Sequence, residues 1–291
     1  MVSEANCVLD AKATLGEGAA WCVRTQRLFW VDIQAPALHE FDPATGKDRR
    51  WAMPEPVGTV ALADGGRVVV ALASGLAWFD LASEKLERFL PIEADNDTSR
   101  LNDGRCDRQG RLWVGSMRRG EAKHPGVLYR CNGTRAEPVL RDITVPNCTC
   151  FSPDGRTMYF SDTPTGIIRA FDLDAATGAL SNERRFATLP EGTGNPDGAT
   201  VDAEGGVWVA HWGGGRVSRF RPDGTYERSM TLAAPRVTCP AFGGPELDTL
   251  FITTARIGLD EAALAKAPQS GGLFAVKPGV RGIEEPRFRP D

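Results

Sequence analysis

The chain has no apolar run approaching the length of a membrane span, no block of like charges, and no basic start leading into an unbroken apolar stretch. The first absence excludes a spanning helix. The third argues against a secretory signal, since Glu4, Asp10 and Lys12 interrupt the small residues at the start. The second removes the electrostatic footprint that nucleic acid or an anionic membrane would need: 34 Lys and Arg against 38 Asp and Glu leave a formal charge of -4. The expectation is a soluble cytoplasmic protein whose partner is a small molecule, with no nucleic-acid, membrane or obligate protein partner. Familiar catalytic signatures are also missing. There is no Gly-x-Ser-x-Gly elbow, His-Glu-x-x-His helix, phosphate-binding Gly-x-x-x-x-Gly-Lys loop or EF-hand glycine pattern. Asp95-Asn96-Asp97 imitates the start of a calcium loop, but Arg100 stands where the sharp-turn glycine belongs, so it reads as a solvated loop.

Cysteine is sparse and odd in number. The seven residues at 7, 22, 106, 131, 148, 150 and 239 are scattered, which argues against a secreted disulfide framework and for reduced, mostly buried thiols. Cys148 and Cys150 would share a face on a strand, but no second pair at zinc-site spacing accompanies them. Of only three histidines, His39 and His124 fall in expected surface turns, while His211, beside Trp212-Gly213-Gly214-Gly215, could border a pocket. Helical periodicity is nearly absent, with residues 259–266 the best candidate for a short helix.

What the sequence does contain is a repeat. An Asp/Gly turn precedes a short apolar strand at Asp64-Gly65 before Val68-Val69-Val70, at Asp107 to Gly110 before Leu112-Trp113-Val114, and at Asp154-Gly155 before Met158-Tyr159-Phe160. Asp202 to Gly205 before Val207-Trp208-Val209 adds a fourth copy, and Leu28 to Val31 and Leu250 to Ile252 follow less regular turns. Each copy continues into a second strand: 38–41, 76–79, 127–129, 168–171, 217–220 and 273–276. Asp/Gly turns between β-branched and aromatic runs are hairpin chemistry, because glycine accepts positive φ and Asp bonds its own backbone. Six units of about 48 residues suit four-stranded blades. The expected fold is therefore all-β, a six-bladed β-propeller with four-stranded antiparallel blades, formed as one domain by residues 1–291. Closing the ring leaves a seam, and Cys7-Val8-Leu9 is placed to supply the outer strand of the last blade. The tryptophans at 21, 30, 113 and 208 sit in strand patterns and are assigned to blade packing.

Ahead of each turn lies the segment expected to line the channel. Its polar residues are Glu17, Asn102, Asn147 and Asp197, the last three separated by about 45 and about 50 residues, close to one blade each. Glu17 precedes Asn102 by two blades, and the remaining two blades offer Val57 and Thr238 at this place. Singly, Asn-Asp-Gly and Asn-Pro-Asp-Gly are ordinary turn sequences. Their shared register makes them a set, and a Glu, an Asp and two amides converging on one axis form an oxygen-rich pocket for a hard or borderline divalent ion.

The sequence resembles the senescence marker protein 30, gluconolactonase and regucalcin family of sugar lactonases. The resemblance runs from Leu15-Gly16-Glu17-Gly18 with Trp21 to Phe242-Gly243-Gly244 and Thr253-Thr254-Ala255-Arg256. Its more specific parts are Arg100-Leu101-Asn102-Asp103-Gly104, residues 111–117, Pro146-Asn147 and Asn195-Pro196-Asp197-Gly198. It implies a metal held by Glu17, Asn147 and Asp197 and substrate contacts from Arg100, Asn102 and Glu121. Asp197, a carboxylate kept ionised by the adjacent cation, is then also suited to act as general base. The implied activity is metal-dependent hydrolysis of an aldonolactone (glucono-, xylono-, arabino- or galactonolactone). The oxygen ligands accept Ca, Zn, Mn, Mg or Fe(II) alike. Two alternatives keep the fold: a phosphotriesterase or arylesterase, which the scarcity of histidine disfavours, and a non-catalytic calcium- or sugar-binding regulator. The loops at 120–125 and 191–194 are expected to choose the sugar.

Overall fold

The computed structural model describes residues 4–119 and 125–290. Six four-stranded antiparallel sheets form a ring in which the inner strands of successive blades pack against one another and the sixth meets the first. Blades 1 to 5 are read inner to outer in chain order, beginning with the inner strands Gly16–Cys22, Val57–Leu62, Ser99–Cys106, Pro146–Phe151 and Asn195–Val201. Blade 6 is built differently. Its inner three strands are Val237–Gly243, Thr249–Thr254 and Leu273–Val276, and its outer strand is Asn6–Leu9 from the start of the chain, with Cys7 opposite Phe274. The seam thus falls where the sequence places it.

The Asp/Gly turns have a structural cause. Asp107 accepts backbone N–H groups from Gln109 and Arg111 and the Trp113 indole N–H at 3.0 Å, and Asp202 does the same for Glu204, Gly206 and Trp208. One carboxylate therefore closes the turn and anchors the first large side chain of the next strand. Gly110 and Gly205 take the left-handed conformations, φ 91° and 81°, that the turns require. Six apolar clusters fill the six junctions between neighbouring blades. Trp21 and Trp30 lie between blades 6 and 1, Trp113 between 3 and 4, and Trp208 between 5 and 6, all as packing residues.

Three expectations need correction or trimming. The helix begins later than its periodicity suggests, at Glu261–Lys266, because Asp260 caps it by accepting from Ala263 N–H. His39 is not in a surface turn. It lies in the strand Ala37–Asp42, buried, its ring stacked 3.9 Å from Trp30 and Nδ1 2.6 Å from Asp48. Cys148 departs from strand alternation, with φ 57°, in the bulge between Asn147 and Cys150, although both cysteines join the same core cluster. All seven cysteines are free thiols.

The segment after blade 6 crosses the end of the ring. Its backbone bonds Ala203, Leu247, Leu62 and Gly110 in turn, touching four blades. From it Glu285 reaches Arg105 of the third inner strand at 2.6 Å, and both side chains are largely buried. Among the described residues no helix is long and apolar enough to cross a membrane.

Candidate functional site

At the opposite end of the inner strands, Glu17, Arg100, Asn102, Asn147 and Asp197 line a single cavity of about 420 Å3. Glu121 lies outside the described residues, as does most of the 120–125 loop. Four blades thus contribute to one pocket, but not from one register. Glu17 and Asn147 are the last paired residues before a bulge, opposite Val31 and Ser161. In blades 3 and 5 the last paired residues are Leu101 and Pro196, so Asn102 and Asp197 are the first residues inside the bulge. The common register expected from sequence is thus two adjacent positions, because the extra residues of a bulge turn neighbouring side chains the same way. Blades 2 and 6 carry bulges at the same place, beginning after Val57 and Val237.

Two of these positions are braced alike. Asp32, ending the second strand of blade 1, accepts from Thr14 and Leu15 N–H just ahead of Glu17, and Asp162 of blade 4 accepts from Thr144 and Val145 N–H just ahead of Asn147. Each carboxylate fixes the strand's approach to the channel. Past each side chain the backbone turns left-handed, at Gly18 and at Cys148. At Gly18 a side chain would collide with Thr59.

The amides are oriented by groups that can bond only one way. Asn102 Nδ2 donates to Pro146 O at 2.9 Å, and its Oδ1 accepts from Arg100 Nη1 at 2.6 Å. Asn147 Nδ2 donates to Thr163 Oγ1 at 2.8 Å, and its Oδ1 lies 3.4 Å from Asn102 Nδ2. Arg100 is further held by Leu101 O at 3.1 Å. Burial pushes its pKa down to about 10, which Arg119 reinforces and Glu17 and Asp197 oppose, so it stays charged near neutrality.

Glu17 and Asp197 are only 6% and 5% exposed, so two carboxylates face each other out of bulk water. Burial raises the Glu17 pKa well above the ordinary range, and the charges of Asp197 and Asp103 add to it. Asp197 is raised likewise, by burial and then by Asp103, against a lowering hydrogen bond with Glu17. This donor set suits a divalent cation, whose charge would relieve both carboxylates. Among the described residues no three His, Cys, Asp or Glu side chains form a metal cluster, so a cation here needs the amide oxygen of Asn147 as well.

Sequence reasoning missed several groups at the site. Thr163 and Trp212 line the cavity, as does Arg236, whose guanidinium lies 4.8 Å over the Trp212 ring and donates to Gly258 O. Trp212 was within reach as an aromatic at a blade end, but Arg236 and Thr163 carry no local signal. His211 does not line the cavity. It is buried beside it, with Nδ1 2.8 Å from Thr193 O and its pKa pushed down to about 4 by burial.

Comparison with known proteins places the chain in a family and matches its fold to a solved structure. The family described as SMP-30/Gluconolactonase/LRE-like region matches residues 15–256. L-arabinolactonase of Azospirillum brasilense is 40% identical over 98% of this chain and 95% of its own. 6-deoxy-6-sulfogluconolactonase of Pseudomonas putida is 38% identical over 97% of both. A crystal structure described as a calcium-binding protein, regucalcin, from Agrobacterium tumefaciens aligns with a TM-score of 0.95 at 33% identity, covering 99% of this chain and 98% of that one.

Proposed function

Because the chain belongs to the SMP-30/gluconolactonase/LRE-like family, we propose that it hydrolyses sugar lactones to their acids at the cavity lined by Glu17, Asn147 and Asp197, with the propeller acting as one domain. The observation that carries the proposal is the meeting of those three side chains, from three separate blades, on one pocket that also holds Arg100 and Asn102. Relatives named as lactonases for different sugar lactones support the reaction class without choosing the sugar.

Glu17, Asn147 and Asp197 would hold one divalent ion (Ca, Zn, Mn, Mg or Fe(II)). When bound, such an ion supplies Lewis-acid polarisation of a carbonyl oxygen and lowers the pKa of water. Asp197 takes the proton as water adds to the lactone carbonyl carbon. The ring C–O bond then breaks, and the departing hydroxyl recovers that proton. Arg100 is tethered by two of its donors' bonds, and its remaining donors are free to fix ring hydroxyls. Asn102 holds Arg100 and keeps its own amide aligned with Asn147. Glu121 is a further proposed substrate contact.

A pH-drop assay on glucono-, xylono-, arabino- and galactonolactone, with paraoxon in parallel and with and without chelator, tests the reading. Chelator-sensitive turnover of at least one lactone is expected. Turnover of paraoxon alone would instead select the phosphotriesterase reading, a poorer fit because neither His39 nor His211 lines the cavity. Metal uptake without any turnover would select a non-catalytic binder.

A further inference from the structure

An asparagine is a metal ligand only if its carbonyl oxygen, and not its amino group, faces the ion. Nothing in the Asn147 side chain makes that choice, because the two ends of an amide have nearly the same shape. Thr163 makes it. This residue opens a short 3-10 turn, Thr163–Thr165, directly after the second strand of blade 4, and its N–H donates to Val145 O at 3.0 Å. Its hydroxyl has one hydrogen, and Pro196 O accepts it at 2.8 Å. A carbonyl cannot donate, so the direction of that bond is fixed. Only lone pairs remain on Oγ1 for Asn147, 2.8 Å away, and the amide must therefore turn its NH2 toward Thr163. Oδ1 is left on the other side, toward Asn102.

From this chain of donors we propose that Thr163 is a positioning residue for the metal site, setting the polarity of Asn147 and tying it to the backbone just before Asp197. The inference rests on the reading that Glu17, Asn147 and Asp197 share a divalent cation, and it adds a residue that itself touches no cation. Thr163 joins blade 4 to blade 5, bonding the Asn147 amide on one side and, on the other, the carbonyl of Pro196, the residue before Asp197. Removal of the hydroxyl frees the amide to rotate and present hydrogens to the cation, and it leaves Pro196 O without its donor.

The test is Mn2+ affinity, read by electron paramagnetic resonance titration of full-length protein, with thermal unfolding of the metal-free protein alongside. Thr163→Val should weaken Mn2+ binding by about 10- to 100-fold, the usual effect of losing a group that orients a ligand. Thr163→Ser should retain wild-type affinity. Thr163→Ala serves if the valine variant does not fold. A folded valine or alanine variant that binds Mn2+ like wild type overturns the proposal, as does a serine variant as weak as valine, which would make packing the cause. If wild type takes up neither Mn2+, Ca2+ nor Zn2+, the cation reading itself fails and this inference falls with it.

Discussion

The Cys148 thiol donates to the backbone carbonyl of Asp197 at 2.9 Å, across the junction of blades 4 and 5. Burial holds this thiol far above its ordinary pKa, so it keeps the proton it donates. The residue therefore braces the proposed base from behind while its own left-handed backbone, φ 57°, turns the chain past Asn147.

Cys148→Ala should cost about 1–3 kcal/mol in chemical denaturation, because it strands a buried carbonyl. Cys148→Ser, which restores a donor, should lose less. Equal losses in the two variants would show that the hydrogen bond contributes nothing.

Asp197→Asn should lower lactone turnover by roughly 10²- to 10⁴-fold, the range for loss of a general base. Its effect on stability should have the opposite sign when metal is removed. The raised carboxyls of Glu17 and Asp197 keep protons that the unfolded chain releases above about pH 4, so wild-type stability falls as pH rises from there. Chelated Asp197→Asn should therefore melt above chelated wild type at pH 7, with the gap closing toward pH 4. Adding a divalent ion should reverse the order, and calorimetry across this pH range checks both signs.

His211 works in the other direction. Its folded pKa of about 4 lies below the ordinary value of 6.5, so the unfolded chain takes up the proton first as pH falls. The stability it permits is complete above about pH 6.5 and is lost progressively toward pH 4, by up to about 3 kcal/mol. His211→Gln should flatten the dependence of unfolding free energy on pH in that window. An unchanged slope would place the imidazole in solvent.

Glu285→Ala leaves the Arg105 guanidinium buried without its carboxylate, which should cost about 3–5 kcal/mol. Arg105→Met combined with Glu285→Leu should recover much of that loss. Additive losses in the double variant would mean that the two residues act independently.

Much of the architecture was legible because its signals are local and repeated. An aspartate that closes its own turn and holds the tryptophan 6 residues on leaves the same mark at 107 and at 202. Once four Asp/Gly turns and two less regular ones mark out six blades, the polar residues that break the pattern stand out, and Glu17, Asn102, Asn147 and Asp197 do share a cavity. What spacing could not separate was the one-residue slip between Glu17 and Asn147 on one hand and Asn102 and Asp197 on the other. A bulge absorbs that slip without leaving any trace in composition. His39, expected in a turn although the repeat places 38–41 on a strand, lies in that strand, where the Trp30 face and the Asp48 carboxylate make a buried position acceptable to it.

By itself the sequence determined the number of blades, the position of the seam and which polar side chains face the axis, because turn chemistry and strand alternation act over a few residues and repeat. Tertiary structure alone decided which way the Asn147 amide points, how Glu17 and Asp197 come to share one buried space, and that Thr163, Cys148 and Arg236 belong to the site. Those outcomes depend on contacts between residues far apart in the chain, such as the bonds that Thr163 and Cys148 make within blade 4 and across to blade 5, and these form only once the blades have packed.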